Sequence, residues 1–269
     1  MMSHIHPSAI IEDGASLGDG VRIGPFCHVG KDVVLGDGVE LKSHVAVAGS
    51  TRIGARTVIF PFASIGHQAQ DLKFKGEHAT LSVGEDCIIR EGVTMNAGTE
   101  GGGSSTTIGN RCAFLANSHV GHDSHLGDGC VLSNNVMIAG HVEVGSHVIF
   151  GGGSAVIQFT RIGDHAFVGG LAGLENDLIP YGMVTGNRAR LGGLNLVGLK
   201  RRNFPREQIH ALRAAYRELF ESEEGTLRDR AQKIAASMTD QPLVKQVTDF
   251  ILVEGERRFC TPRGPAGDA

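Results

Sequence analysis

The sequence of 269 residues contains no tryptophan, and aromatic residues make up only 5% of it. A core without large rings must be filled by small and branched aliphatic side chains, which favours a narrow interior. Proline occurs 8 times, and the 39 glycines follow no Gly-X-Y triplet period, so a collagen is excluded. The five cysteines are an odd number without paired or finger-type spacing, which indicates neither a disulfide framework nor a zinc ribbon.

Strong net charge and long apolar runs are also missing. The formal net charge is −4, from 25 basic and 29 acidic residues, which gives no global electrostatic reason to bind nucleic acid. A membrane-spanning helix needs about 18 or more apolar residues in a row, and no such run occurs. The beginning of the chain lacks the apolar stretch of a secretory signal. We therefore expect a cytoplasmic protein with neither a nucleic-acid partner nor an integral membrane segment.

A six-residue period predicts the architecture. Stepping by six from Ile5 to Ile65 meets an aliphatic residue every time, and the phase resumes at Val83 and runs again from Ile108 to Leu174. Six residues suit a short parallel strand followed by a tight turn, so three hexads form one coil of 18 residues and stacked coils form a parallel β-helix. The fifth position of each hexad is small or β-branched. Four cysteines occupy it and are interpreted as core residues: Cys27, Cys87, Cys112 and Cys130.

Breaks in the period divide the chain. We predict a β-helix over residues 1–190, with loops near 66–81 and 97–107, where binding residues often lie. Helical signals replace the hexads afterwards, which predicts a helical domain over 191–260. The remaining residues, 261–269, are rich in proline and glycine and are predicted to form a flexible tail.

Coil arithmetic brings several polar residues together, because residues 18 apart lie in one column. His122, Gly140 and Gln158 share one such column, and Asp123 and His141 share the next. These five residues are predicted to form one surface patch outside the inward columns. An imidazole beside a carboxylate suits an oriented general base. A structural role for the histidine stays open, because the chain has 13 of them.

Four nearby histidines also permit a zinc interpretation: His119, His122, His125 and His141. His119 and His125 occupy the sixth hexad position, whereas His122 occupies the third, so they should point in different directions. We therefore expect no metal in one chain, although ligands from a neighbouring chain are left open.

Two further groups suit binding of polar ligands. The basic run 200–202 lies where the hexads give way to helices, and it is either a solvated cluster or an anion site for a diphosphate or an acidic partner. Asp71 and Lys73 lie in the first loop and can hydrogen-bond a polar ligand.

Several motifs resemble one family over essentially the whole chain. The motifs are Gln70-Asp71-Leu72-Lys73, Asn117-Ser118-His119-Val120-Gly121-His122-Asp123, Ala139-Gly140-His141-Val142, Gln158-Phe159, and Asn195 followed by Gly198-Leu199-Lys200-Arg201-Arg202. They are similar to those of the UDP-N-acetylglucosamine acyltransferases that open lipid A synthesis. The resemblance implies a left-handed parallel β-helix and a homotrimer with active sites between subunits. It also implies (R)-3-hydroxyacyl-acyl carrier protein as donor, with no metal or bound cofactor.

The resemblance also implies roles for single residues. His122 is expected to remove the proton from the glucosamine 3-hydroxyl, Asp123 to orient His122, and the Gly140 N–H to stabilise the oxyanion. The residues expected to line the sugar and pantetheine region are Asp71, Lys73, His119, His141 and Gln158. Those expected to hold the nucleotide diphosphate or the carrier are Asn195, Arg201 and Arg202.

The resemblance defines the length of the acyl chain and the identity of the acceptor less closely. Gly170 lies where the family sets chain length, and its missing side chain predicts a long hydroxyacyl chain of about fourteen carbons by resemblance. Asn96 and Ile157 replace histidines of well-known members, and Val197 replaces an acid. A 3-amino acceptor acylated to an amide is therefore an alternative. Hexapeptide acetyl-CoA transferases, a zinc carbonic-anhydrase-like β-helix enzyme and a non-catalytic solenoid are further alternatives.

Overall fold

A computed structural model describes residues 3–262. The predicted flexible tail lies outside the described residues from residue 263 onward. The strands in chain order are β1 His4–Ile5, β2 Ile10–Ile11, β3 Ser16–Leu17, β4 Arg22–Ile23, β5 His28–Val29, β6 Val34–Leu35, β7 Glu40–Leu41, β8 Ala46–Val47, β9 Ser50–Ile53, β10 Val58–Ile59, β11 Ser64–His67, β12 Thr80–Val83, β13 Ile88–Ile89, β14 Thr94–Asn96, β15 Ser105–Ile108, β16 Ala113–Phe114, β17 His119–Val120, β18 His125–Leu126, β19 Val131–Leu132, β20 Met137–Ile138, β21 Glu143–Val144, β22 Ile149–Phe150, β23 Ala155–Val156, β24 Arg161–Ile162, β25 Phe167–Val168, β26 Gly173–Leu174, β27 Gly182–Thr185 and β28 Arg190–Leu194. The helices are α1 Leu196–Arg201, α2 Arg206–Phe220, α3 Leu227–Ser237 and α4 Pro242–Leu252, and Glu100–Gly102 form a short 3₁₀ turn.

Consecutive strands visit three sheets in turn. Sheet A is β1-β4-β7-β10-β13-β16-β19-β22-β25-β27-β28, sheet B is β2-β5-β8-β11-β14-β17-β20-β23-β26, and sheet C is β3-β6-β9-β12-β15-β18-β21-β24. Strands in regular coils pair in parallel with partners 18 residues away, as His119 does with Met137. The result is a three-sided parallel β-helix, whose edges we name A/B, B/C and C/A after the sheets that each turn joins.

The interior is the pair of columns expected from the hexads. Side chains at the first position are fully buried from Ile23 onward through most of the helix, and each contributes roughly 1.5–3 kcal/mol of burial. The four cysteines at the fifth position are buried, which confirms that they are core residues. Ile5 is an exception at 41% exposure, since among the described residues its strand pairs on one side only, with β4.

Two segments leave the regular path of the coils. Residues 68–79 connect β11 to β12, and residues 97–104 connect β14 to β15. Both connections run from sheet B to sheet C, so both lie at the B/C edge. Within the described chain, the other connections between β1 and β26 have four residues, apart from a two-residue connection between β8 and β9, so the B/C edge carries the two long connections.

The change from coils to helices is less sharp than predicted. Residues 191–194, assigned to the helical domain from the sequence, belong to β28, which pairs antiparallel with β27 and extends sheet A. The hairpin uses backbone groups at the end of the β-helix that would otherwise be unpaired. Among residues 3–262, no helix combines the length and the apolar composition needed to cross a membrane.

Local signals account for the helices. The Asn195 side chain caps α1 by accepting a hydrogen bond from the Gly198 N–H. In α2, one apolar face is buried: Ile209, Leu212, Ala215 and Leu219. Thr226 and Asp229 form a capping box at the start of α3, and α4 begins with a proline in its first turn.

The C-terminal segment returns to the β-helix through a buried ion pair. Asp177 is fully buried, and its carboxylate accepts hydrogen bonds from the Arg161 backbone N–H and from its Nε at 2.7 Å. The Asp177 backbone pairs with Arg258 and Cys260. Burial raises the pKa of Asp177, and its bonds to Arg161 oppose that rise. Asp177 thus links the last described residues, which its backbone bonds, to Arg161 of sheet C, which its side chain bonds.

Candidate active site

An imidazole and a carboxylate are paired at the turn after β17. His122 Nδ1 lies 2.8 Å from Asp123 Oδ2, and both residues are buried, at 5% and 3% exposure. Asp123 has a φ of 57°, in the left-handed region, as the tight turn requires. The predicted surface patch is therefore wrong in one respect: these two residues are covered. The connection over residues 97–104 covers the Asp123 carboxylate.

The second connection encloses the carboxylate. Thr99 donates its backbone N–H to Asp123 Oδ1 at 2.8 Å and its hydroxyl to Oδ2 at 2.6 Å. The Asp123 N–H donates to Thr106 Oγ1 at 2.8 Å. Side chains at Gly98 or Gly102 would collide with the carboxylate, since a Cβ at Gly102 would lie 2.1 Å from Asp123 Cγ. Thr99 was not predicted from the sequence, because the inserted residues have no place in the 18-residue columns.

Gly140 lies against the His122 ring, one coil further along. A Cβ at Gly140 would lie 2.7 Å from both Nε2 and Cε1 of His122, so the ring occupies the space of a side chain. Within the described residues, the Gly140 N–H donates to no protein acceptor. The free nitrogen of the imidazole and an available backbone donor are therefore neighbours.

His141 completes the cluster. Its ring meets the His122 ring edge-on at 4.9 Å between centroids and stacks on Phe159 at 4.6 Å. His141 Nε2 is 3.9 Å from Asp123 Oδ2, so two imidazoles face one carboxylate oxygen. Burial lowers the pKa of His141, and the Asp123 carboxylate partly opposes that shift. A neutral imidazole at this position suits hydrogen bonding to an uncharged ligand group.

His119 lies on the outer face of sheet B beside this turn. Its Nδ1 is 2.7 Å from Thr94 Oγ1, a contact that fixes the ring. Burial and the neighbouring His122 lower its pKa. His119 therefore lies close to the cluster, although it belongs to β17 and not to the turn that carries His122.

A cavity of about 550 Å³ extends from the cluster toward both connections. It is lined by Asp71 and Lys73 from the first connection, Thr99 from the second, and His141 and Phe159 from the turns. The Lys73 N–H donates to Asp71 Oδ1 at 2.9 Å and lowers the pKa of that carboxyl. The structure thus brings the predicted loop residues to the same cavity as His141.

Gln158 follows Gly140 in its column and is exposed. Its carbonyl accepts a hydrogen bond at 3.0 Å from Arg257 Nε, so the C-terminal segment reaches this turn. The side chain of Gln158 remains available to a ligand.

The other predicted binding residues lie at a second cavity, of about 510 Å³, between sheet A, the C/A edge and α1. Asn195, Arg201 and Arg202 line it together with His147 and His165. Arg202 Nη1 lies 2.9 Å from His165 Nδ1, and Asn195 donates from Nδ2 to the His165 carbonyl at 3.0 Å. Burial and the Arg202 charge lower the pKa of His165 to about 4. Within one chain this cavity and the His122 turn lie at different edges.

The structure changes which residues could form a zinc site. Donor atoms of His122, Asp123 and His141 lie within 4.8 Å of one another, and neither His119 nor His125 belongs to this group. His125 Nδ1 instead lies 2.8 Å from Thr107 Oγ1. Asp123 Oδ2 already receives the Thr99 hydroxyl and faces the His122 Nδ1, so its acceptor capacity is used by hydrogen bonds. The absence of a metal from this site stays a prediction.

Comparison with known proteins assigns the family. A family model described as UDP N-acetylglucosamine O-acyltransferase, domain 2, matches residues 177–260, and a model of bacterial transferase hexapeptide repeats matches residues 14–49 and 105–140. The acyl-[acyl-carrier-protein]–UDP-N-acetylglucosamine O-acyltransferase of Rhizobium johnstonii is 50% identical over 266 residues, which cover 98% of this chain and 97% of that protein. The chain belongs to the UDP-N-acetylglucosamine O-acyltransferase family.

Solved structures agree with this assignment. LpxA from Acinetobacter baumannii superposes with a TM-score of 0.92 at 37% identity, covering 95% of this chain and 99% of that one. UDP-N-acetylglucosamine O-acyltransferase from Moraxella catarrhalis gives 0.91 at 40% identity, covering 95% and 98%. The likeness confirms the left-handed course of the β-helix.

The structure shows the surroundings of the positions expected from the resemblance to differ from the family. Asn96 is buried and donates from Nδ2 to the Gln68 carbonyl at 2.9 Å, so it anchors the first connection. Ile157 is half exposed beside Gln158, and Val197 is exposed at the second cavity. Gly170 lies at the A/B edge, where a Cβ would meet only Gly152 backbone at 3.5 Å. Atoms of the same subunit therefore leave space for a side chain at position 170.

Proposed function

We propose that this protein transfers an (R)-3-hydroxyacyl chain from acyl carrier protein to the 3-hydroxyl of UDP-N-acetylglucosamine, the first step of lipid A synthesis. The observation that carries the proposal is the buried His122–Asp123 pair with the ring of His122 against the Gly140 backbone. The name of the Rhizobium johnstonii relative states an acyl-[acyl-carrier-protein] and O-acylation of UDP-N-acetylglucosamine.

The geometry supports a base-assisted acyl transfer. Asp123 accepts the Nδ1–H of His122, which leaves the Nε2 lone pair to remove the proton of the sugar 3-hydroxyl. The hydroxyl oxygen then forms a bond to the thioester carbon, and the carbonyl oxygen becomes an oxyanion that the Gly140 N–H stabilises by about 3 kcal/mol. Collapse breaks the carbon–sulfur bond, and protonated His122 returns its proton to the departing thiolate. The products are the ester and the free thiol of the carrier.

The cavity beside the cluster suits the sugar and the pantetheine arm. Asp71 and Lys73 supply a carboxylate and an ammonium at its outer wall, and His141 supplies a polar ring at its inner wall. His119 and Gln158 flank the same edge and would complete the polar contacts. A ligand with several hydroxyls can thus be bound by both loops and by the turns.

We infer that the protein acts as a homotrimer. Several large exposed apolar side chains lie at the A/B edge and on or next to sheet B: Phe26, Phe62 and Leu171 at the edge, and Met137 and Ile157 on or next to the sheet. Leu171 is 77% exposed. Burying such groups against a second copy would be favourable.

A three-fold axis along the A/B edges also brings the two cavities together. Sheet B of one subunit then faces sheet A of its neighbour across a cleft, and the B/C edge of the first lies opposite the C/A edge of the second. Asn195, Arg201 and Arg202 of the neighbour would hold the nucleotide diphosphate while His122 of the first subunit reaches the sugar. Location in the cytoplasm remains a prediction from the sequence.

The experiment is a transfer assay with purified protein. Hydroxyl and 3-amino forms of the sugar nucleotide are paired with hydroxyacyl-carrier donors of several lengths, using wild type, His122→Ala and the control His125→Ala. We expect ester formation that falls about 10²–10⁴-fold in His122→Ala and is retained in the control. Full activity of His122→Ala would contradict the proposed base mechanism. Preference for the 3-amino sugar nucleotide would indicate that the enzyme forms an amide. No transfer from any acyl carrier donor would refute the proposal.

Mixed assemblies test the shared site. Inactive His122→Ala and Arg202→Ala chains are co-expressed with different tags and purified through both. If each site takes one residue from each neighbour, every trimer that contains both chains has one intact site of three, so the doubly purified protein regains about one third of wild-type activity. Activity no higher than that of the parents would place both residues in one subunit's site.

A further inference from the structure

Two turns of this chain place an aspartate in the same hexad frame at the B/C edge, with opposite surroundings. Val29-Gly30-Lys31-Asp32 and Val120-Gly121-His122-Asp123 both carry the acid at the fourth position. Asp32 is exposed, whereas the Asp123 side chain is fully buried. The hexad therefore does not bury the carboxylate. The connection over residues 97–104 does.

Within that connection, Thr99 holds the Asp123 carboxylate by two hydrogen bonds. Its N–H and its hydroxyl donate to different oxygens of Asp123, at 2.8 and 2.6 Å, so one residue fixes the plane of the group. Hydrogen bonds to a charged acceptor in a buried place are short and directional. The two bonds leave the carboxylate little freedom to rotate.

Rotation matters because two imidazoles compete for Oδ2. His122 Nδ1 is 2.8 Å away and His141 Nε2 is 3.9 Å away, on neighbouring coils. A small turn of an unrestrained carboxylate would bring it toward His141 and away from His122. His122 would then lose the acceptor that keeps the proton on Nδ1, and its Nε2 would be protonated in part of the molecules.

We propose that Thr99 is a positioning residue that holds the Asp123 carboxylate toward His122 and away from His141. The inference rests on the proposed role of His122 as the base. Thr99 needs no contact with substrate for this role, since it acts through Asp123.

The test uses Thr99→Val, which keeps the branched shape and the backbone N–H but removes the hydroxyl. We expect kcat to fall on the order of tenfold with KM for the sugar nucleotide unchanged, because the base is misplaced while the sugar contacts remain. Thr99→Ser keeps the hydroxyl and should restore most of kcat. Thr107→Val removes a hydroxyl that bonds His125 outside the cluster, so its kcat should match wild type.

A spectroscopic readout separates positioning from general damage. In ¹⁵N-histidine-labelled protein, the ring nitrogens of His122 should report a single Nδ1–H form in wild type and Thr99→Ser. A mixture of both neutral forms is expected in Thr99→Val. An unchanged His122 signal together with unchanged kcat in Thr99→Val would overturn the inference.

A double-mutant cycle distinguishes the failure of this inference from that of the mechanism. In an Asp123→Asn background, Thr99→Val should cause no further loss, because its partner charge is gone. If Asp123→Asn alone keeps full activity, the proposed base mechanism fails and the inference with it. If Asp123→Asn is impaired while Thr99→Val is fully active, only the inference on Thr99 fails. Equal losses from Thr99→Val in both backgrounds would also contradict positioning through Asp123.

Discussion

Gly140→Ala is expected to disable the enzyme by displacing one ring. The added Cβ would lie 2.7 Å from Nε2 and Cε1 of His122 and 3.1 Å from its Cδ2. Ordinary carbon contacts begin near 3.5 Å, so the ring must move by roughly 0.8 Å. The backbone N–H of residue 140 is kept, so an oxyanion donor is not deleted.

The displacement decides the magnitude. The His122–Asp123 hydrogen bond is 2.8 Å long, and a shift of that size would stretch it beyond useful length. Misplacement of a catalytic group by about 1 Å costs on the order of 10²-fold in rate, or about 2.7 kcal/mol in the activation barrier. We therefore expect kcat of Gly140→Ala to be about a hundredfold below wild type, with the thermal midpoint little changed.

The assay is steady-state transfer, with Gly30→Ala as control. Gly30 lies at the same edge, far from the cluster, and its Cβ would meet only backbone at 3.4 Å or more. In a His122→Ala background, Gly140→Ala should have almost no further effect, because the ring is already absent. Activity of Gly140→Ala within about threefold of wild type would refute the steric reasoning. So would an undiminished effect in the His122→Ala background.

Three further outcomes are expected. Folded His165 stays neutral to about pH 4 while the unfolded chain binds a proton near 6.5, so its contribution is present above pH 6.5 and lost on acidification. After allowance for solvent screening this is about 1–2 kcal/mol, so His165→Gln should flatten the fall in thermal midpoint between pH 7 and 4.5. Asp177→Ala leaves Arg161 without its buried partner and should cost about 3–5 kcal/mol in denaturant unfolding. Gly170→Met should lower transfer from long hydroxyacyl donors and spare short ones, as competition between donors would show.

Most of the fold could be predicted from the hexads, because each hexad specifies the same local structure, a short strand followed by a turn. A first-position aliphatic residue and a small fifth residue leave the chain one compact way to stack, and the 18-residue pairing of His119 with Met137 follows. The same arithmetic brought His122, Gly140 and His141 together, because they lie in uninterrupted coils. Ile5 is partly exposed because, among the described residues, its strand pairs with a coil on one side only.

Features that depend on breaks in the period could not be predicted in this way. Column arithmetic stops at an insertion, so it gave no partner to Thr99. It also gave no relation between Asn195 and His122, since the coils end before α1. The short helix α1 carries Gly198 in its interior, where glycine disfavours a helix, and it is stabilised by the Asn195 cap and by the burial of Leu199. Tertiary contacts outweighed local preference there.

The connection over residues 97–104, which interrupts the repeat, gives the turn at Asp123 surroundings that a regular hexad turn does not have. A regular hexad turn projects its fourth residue outward, as Phe62 shows at 67% exposure, and a carboxylate there would be solvated and weakly coupled to its neighbour. Covering Asp123 with residues 97–104 removes the competing water, and Thr99 and Thr106 replace it with fixed hydrogen bonds. Of the two imidazoles that face Asp123 Oδ2, His122 is then the one within hydrogen-bond distance, at 2.8 Å against 3.9 Å for His141. A solenoid supplies rigid spacing, but it needs an insertion at one edge to supply the enclosure that acid–base chemistry requires.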